Sequence, residues 1–333
     1  MSSLNSLLDR AQNFAPNYYE RHLSNHLPMA LLARQVLGAN EAQMERGVVR
    51  FSQKLEPAAQ APEPCADWTH WRGQREAFAA VRAHFVRDIL EHGADAALRT
   101  ALPYLIGGAG GAAFHGLLRT ASAVVARHDG EVASGLAHWA CSYMPLVGSF
   151  HPSAAKVTVS QSNKLELHAW LSKITSTPAS WKSPEDMIAS LMRNYSKSES
   201  FQTTAPRLQV HDGTLRDIAT IALEHYLRSR NFTVLHLVTG AHATRILLPY
   251  FDDPLMAVRH YAVAFAAGVA ASGIDPDAAA LPVTVQPWEA LIAAACNAED
   301  EHEIKLVYAC REEFLVTEDD RYRSAASLIL GRN

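Results

Sequence analysis

The stretch EAFAAVRAHFVRDIL, residues 76–90, sets Phe78, Val81, Phe85 and Ile89 three and four residues apart, one apolar stripe with the charges opposite. Outward from it the same period returns in Ala96–Leu105, Arg216–Leu227, Leu235–Leu248 and His302–Phe314. Alternating β-branched runs are confined to Lys156–Ser160 and Leu281–Val285, too few for a parallel sheet. The expectation is an all-α fold, a single large domain over residues 1–333 made of packed helix hairpins. Three stretches interrupt the helical period. Leu55–Thr69 reads as a Pro- and Ala-rich loop and Gly273–Pro287 as a Pro-rich turn region. Ser172–Arg207 reads as a polar, Ser- and Thr-rich excursion around one helix at Pro184–Asn194.

Of the 333 residues, 48% are hydrophobic and 19% charged, enough apolar material for a large core. A net charge of −4 leaves no basic field for a nucleic-acid backbone, so nucleic acid is excluded as a partner. The four cysteines, Cys65, Cys141, Cys296 and Cys310, lack C-x-x-C spacing and fit reduced, mostly buried thiols in the cytoplasm. The N-terminal residues show no basic-then-apolar signal pattern. Ser134–Ala155 holds no Asp, Glu, Lys or Arg, yet its histidines, prolines and serines read as buried or pocket-lining rather than membrane-spanning. Oligomeric state, homodimer included, stays open.

Four segments echo one another. Each starts with a histidine, runs on as a helix, turns and enters a second helix: HLPMALLA from His26, HGLLRTAS from His115, HLVTGAHA from His236 and HEIKLVYA from His302. Seven residues after each histidine stand Ala33, Ser122, Ala243 and Ala309, small and on the histidine's own face. Two readings stay open: helix hairpins stacked in an α/α toroid or solenoid, or chance likeness among Ala-rich helices.

Sixteen histidines is a high count, and each leading one precedes an apolar run that buries it. A lone buried histidine most often only hydrogen-bonds a neighbour; four in equivalent positions point to chemistry. Arg119, Thr239 and Lys305 stand on the same faces, with Arg245 and Arg311 nearby, and cations beside imidazoles suit a phenolate or carboxylate ligand. His236 and His242 are six apart, not the four that lets one helix chelate, so a metal site must draw on different helices. The acidic run Glu299–Glu303 reads as a helix N-terminus, with a ligand carboxylate as the alternative.

Gly108–Ala113 matches G-x-G-x-x-A, with Asp129 about 20 residues on where a ribose-binding acid would stand. A helix rather than a strand precedes it, so the motif reads as a close-packed turn delivering His115 to its helix. No flavin, P-loop, zincin or nucleophile-elbow motif is present.

Taken together, the stretches at 25–29 (NHLPM), 113–119 (AFHGLLR), 231–243 (NFTVLHLVTGAHA) and 300–310 (DEHEIKLVYAC) resemble the questin oxidase-like family, over nearly the whole chain. The resemblance implies an oxidoreductase of Baeyer–Villiger or monooxygenase type, using oxygen, with NADPH as reductant, on an aromatic or polyketide-like substrate. It points to His26, His115, His236 and His302 as catalytic residues. Arg119, His242 and Lys305 are the expected substrate contacts. A transition metal on the four leading histidines is one version of the centre; the other is an imidazole that deprotonates a phenol. A non-catalytic helical-repeat binding protein with structural histidines is the alternative function.

Overall fold

The computed structural model describes residues 4–19, 22–59, 63–148, 164–176 and 187–331. In chain order its α-helices are α1 (Leu4–Ala11), α2 (Leu27–Val36), α3 (Glu41–Ser52), α4 (Phe78–His92), α5 (Ala94–Leu105), α6 (His115–Ala126), α7 (Asp129–Cys141) and α8 (Leu167–Thr175). There follow α9 (Ile188–Ser196), α10 (Glu199–Thr204), α11 (Thr214–Ser229), α12 (Phe232–Leu247), α13 (Pro254–Ser272), α14 (Trp288–Asn297), α15 (Glu301–Thr317) and α16 (Arg321–Leu330). The sheet among the described residues is one hairpin, Asn17–Tyr18 against Leu23–Ser24. The fold is all-α.

The four histidine-headed helices form a closed ring: α2 packs on α6, α6 on α12, α12 on α15, and α15 back on α2. Each is backed by the helix that follows it, α3, α7, α13 and α16. The four segments that echo one another in sequence are thus four helix hairpins, closed in the manner of a toroid. Arg34 ties the ring across its chain ends, donating from α2 to Gln43 O at 2.8 Å and to Ala298 O at 2.7 Å. Small residues set the spacing between inner and outer helices: a Cβ on Gly116 would come within 2.5 Å of the Trp139 backbone.

The helix of residues 76–90 is α4, with Val81, Phe85 and Ile89 buried against α7. Polar side chains end the helices as their sequences require. Asn40 and Gln43 make a reciprocal capping box on α3, and Asn231 accepts from Thr233 N and Val234 N at the head of α12. α13 is apolar and long enough to cross a membrane, but 72% of its apolar window is buried by the protein, and it serves as a core helix.

One expectation needs correction. Ser172–Arg207 is more than a loop around one helix. Within it α9 and α10 sink Met192, Tyr195 and Phe201 into the core, with α9 packed on α13, because a few large apolar residues on one side are enough to anchor a polar helix. The alternating run Leu281–Val285 is irregular, tied by Leu281 N–H to Leu227 O at 2.9 Å, in keeping with the all-α expectation. Lys156–Ser160 and residues 149–155 of the uncharged stretch lie outside the described residues. All four cysteines are free, three of them buried.

Candidate functional site

His26 is the N-cap of α2, His115 opens α6, His236 stands in the second turn of α12, and His302 is the second residue of α15. The ring closure brings all four together. His26 and His115 stack with centroids 4.5 Å apart and planes 11° from parallel. His302 lies 4.6 Å from His26 and 5.5 Å from His236, and His236 lies 5.1 Å from His115. The four helices therefore run parallel away from one histidine layer, with their positive N-terminal ends turned toward it.

Three of the rings are turned by a hydrogen-bond partner at Nδ1, and His26 Nδ1 is buried without one. His115 Nδ1 is 2.6 Å from Ala112 O and His236 Nδ1 is 2.8 Å from Phe232 O. A carbonyl only accepts, so in these two rings Nδ1 carries the proton and Nε2 keeps a free lone pair. His302 Nδ1 lies 2.9 Å from Asp300 Oδ1, and that same oxygen caps α15 by accepting from His302 N. His26 Nδ1 lies 3.4 Å from Glu301 Oε1. Of the acidic run, Asp300 caps α15, as a helix N-terminus requires, and Glu301 stands beside His26.

The glycine-rich segment is what aims His115. Ala112, Ala113 and Phe114 all have positive φ (47°, 54° and 69°), a left-handed bend that costs about 1–2 kcal/mol per non-glycine residue. It folds the Ala112 carbonyl back onto the imidazole it precedes. Gly111 presses on the chain after α7, where a Cβ would meet Ser142 O at 2.0 Å. Helix α5 precedes this turn, so it is a backbone pivot and not a dinucleotide-binding loop.

These donors fit a transition metal. Ligand atoms of His26, His115 and His302 all lie within 4.8 Å of one another. His115 Nε2 is buried with no hydrogen-bond partner. An imidazole whose Nδ1–H is held by an oxygen, with Nε2 free, is the usual form of a metal-ligating histidine. Burial, and next the Lys305 charge, hold His26 and His115 well below the usual imidazole range. For His236 burial leads, followed by His302 and Lys305. Burial also lowers His302, partly offset by Asp300.

Beneath the layer the same faces continue. Met29, Leu118, Thr239 and Lys305, each three residues after its histidine, line a cavity of about 30 Å³, room for a water molecule or two. Ser122, Ala243 and Ala309 line it as well, three of the four small residues seven places on. Burial pushes Lys305 down to about 8, against the opposing pull of Glu301 and Asp300. His242 also lines this cavity, and its Nδ1 is 2.7 Å from Glu313 Oε1.

Arg119, the third expected substrate contact, is committed elsewhere. Its Nε and Nη2 reach Glu131 of α7 at 2.9 and 3.0 Å, both side chains fully buried. At about 100° per helical residue, a position four after the histidine turns away from the side on which the positions three and seven after it stand. Arg311 likewise lies over Trp288, 5.6 Å from its ring.

The sequence reading missed Phe232, Lys54 and Tyr18, and named Glu301 only as part of its acidic run. Phe232 is 53% exposed and packs edge-on to His236 and His302 at 4.9 and 4.7 Å, the outer face of the layer. Glu301 pairs with Lys54 Nζ at 2.5 Å, and Lys54 stands 5.3 Å from the Tyr18 ring. Phe232 and Glu301 sat inside quoted motifs; Lys54 and Tyr18 carry no local signal, since they arrive from a different part of the chain.

No curated protein matches the chain. The sequence model described as questin oxidase-like matches residues 23–310, a span that holds all four leading histidines and Lys305. With that match over most of its 333 residues, the chain belongs to the questin oxidase-like family, a family of oxidoreductases.

Proposed function

We propose that this oxidoreductase uses oxygen on an aromatic or polyketide-like substrate, with the histidine layer as its reaction centre and a transition metal held by His26, His115, His236 and His302. The observation that carries this reading is the convergence of four buried imidazoles from four helices. Three of them lie within mutual ligand distance, and the Nδ1 atoms of His115 and His236 are pinned by carbonyls. A bound metal would supply the activation of oxygen.

The chain's own residues do the rest. The inner cavity, at about 30 Å³, is far too small for a ring system, so an organic substrate meets the layer from the Phe232 side. Phe232 offers an apolar aromatic surface there, and the four helix N-termini favour a substrate anion such as a phenolate. Lys305, easily deprotonated in its buried setting, gives or takes a proton just below His302. NADPH remains a proposal drawn from the family, with no described segment assigned to it, and so does a cytoplasmic location, which the free thiols favour. The binding-protein alternative calls for an open, solvated concave surface; a closed ring with its histidines inside argues against it.

The experiment is metal analysis of untagged protein by plasma mass spectrometry, with His115→Ala and His236→Ala beside it. Near-stoichiometric iron, manganese, copper or nickel in the parent, lost in both variants, supports the metal-centred reading. A metal-free parent sinks it and leaves an imidazole acting as base on a phenolic substrate.

A further inference from the structure

On the far side of the cavity from the histidine layer stands a second arrangement that the layer does not use. His242 of α12 is buried, 5% exposed, and holds its Nδ1 2.7 Å from Glu313 Oε1 of α15. Glu313 is itself buried and takes a further hydrogen bond at that oxygen from Arg245 Nε at 2.8 Å. The ring's other face is set by Tyr308, edge-on at 5.3 Å. With Nδ1–H given to a carboxylate, the free atom is Nε2, and it is buried without any partner. His242 lines the cavity that Lys305 borders from α15 and Ser122 from α6.

A buried, unpartnered acceptor costs about 1–3 kcal/mol. A second residue, Glu313, is also buried as a charge in order to hold the ring's orientation. Desolvation works to raise the Glu313 carboxyl, but His242 and Arg245 overcome it and keep it ionised. A carboxylate fixed behind an imidazole, with the opposite nitrogen buried and unpartnered on a residue that lines the cavity, is the arrangement of an orienter and a base. The groups facing His242 are Glu313, Arg245 and Tyr308 around the ring and Lys305 across the cavity.

We propose that His242 and Glu313 form an acid–base dyad that exchanges a proton with a water-sized protic oxygen species held in the cavity beneath the histidine layer. The O–H bond of the guest breaks as the Nε2–H bond forms, while Nδ1–H stays on the ring against Glu313. The imidazolium is then paired with that carboxylate, and the oxyanion faces the Lys305 ammonium. The reverse step returns the proton, and no electrons change hands. Under the oxidoreductase reading the dyad supplies protons to the inner side of the layer; its geometry does not depend on that reading.

The test is nitrogen NMR of the full chain with ¹⁵N-labelled histidine, a measurement that needs no substrate. The expected neutral form of His242 is protonated at Nδ1, with an Nε2 shift typical of an acceptor that receives a hydrogen bond from the guest. Ala309→Val fills the cavity and moves that shift to the value of a free nitrogen; Ala121→Val, from a different helix, makes the same test if the first variant does not fold. A neutral His242 protonated at Nε2, or an Nε2 shift that filling the cavity leaves unmoved, overturns the proposal. Metal analysis can fail without touching any of these results, so the two readings fail separately.

Discussion

The imidazoles of His26 and His115 lie face to face, 4.5 Å between centroids and 11° from parallel, and both are fully buried. Two stacked imidazolium ions in such a place would repel without solvent to screen them. Both rings are therefore expected to stay neutral in metal-free protein well below the ordinary histidine value of 6.5. Histidine NMR of chelator-treated protein at pH 5.5 checks this, and a protonation midpoint near 6.5 for either ring would show that the stack is not as tight as described.

Arg119 is expected to matter for stability and not for ligand binding. Removing one partner of a buried ion pair strands the other, at a cost of about 3–5 kcal/mol. Arg119→Ala should lose that much in urea unfolding, and Arg119→Met with Glu131→Leu should regain most of it. An Arg119→Ala protein of normal stability that fails to bind ligand would restore the substrate-binding role expected from its sequence position.

Gly111→Ala should disturb His115 from a distance. Its Cβ would stand 2.0 Å from Ser142 O, a backbone atom that can yield only if the turn after α7 moves. A loss of about 3 kcal/mol is expected, with reduced metal content at any temperature where the variant still folds. Unchanged thermal stability would contradict the close approach.

His138 gives a stability effect that depends on pH. It is fully buried, both ring nitrogens lack partners, and burial, more than the nearby arginines, lowers it to about 3 from 6.5. A depressed folded value means that the unfolded chain binds the extra proton first. Stability is therefore whole above pH 6.5 and falls as the pH drops toward 3, by about 1.4 kcal/mol per unit from this residue. Urea unfolding at pH 7 and pH 5 should show His138→Leu losing about 2 kcal/mol less than the parent over that interval. Equal losses would mean that His138 is not held neutral.

Phe232 is more than half exposed, so Phe232→Ala should change stability by no more than about 0.5 kcal/mol. If the substrate reaches the layer from this side, the same change should weaken binding of a soluble hydroxyanthraquinone about tenfold, and Phe232→Tyr should keep it. Fluorescence titration of the three proteins decides, and equal affinities would move the substrate elsewhere.

Sequence alone determined the all-α class and displayed the echo of the four histidines, leaving open whether that echo was a true repeat. Helical period and the recurrence of a small residue seven places after a histidine are local properties, readable wherever a face is repeated. The helical period also put Lys305 on the inner side, where it lines the cavity, because it stands three after His302. Position four looked equivalent and was not. Arg119 turns outward, where α7 presents Glu131, and only the packed ring says which neighbour a borderline face meets. The closure of the ring, the left-handed Ala112–Phe114 bend, the arrival of Lys54 at Glu301 and the space in front of His242 are likewise tertiary facts. Each joins residues far apart in the chain or sets a backbone against its local preference, and such outcomes are decided by packing energy summed over the whole core.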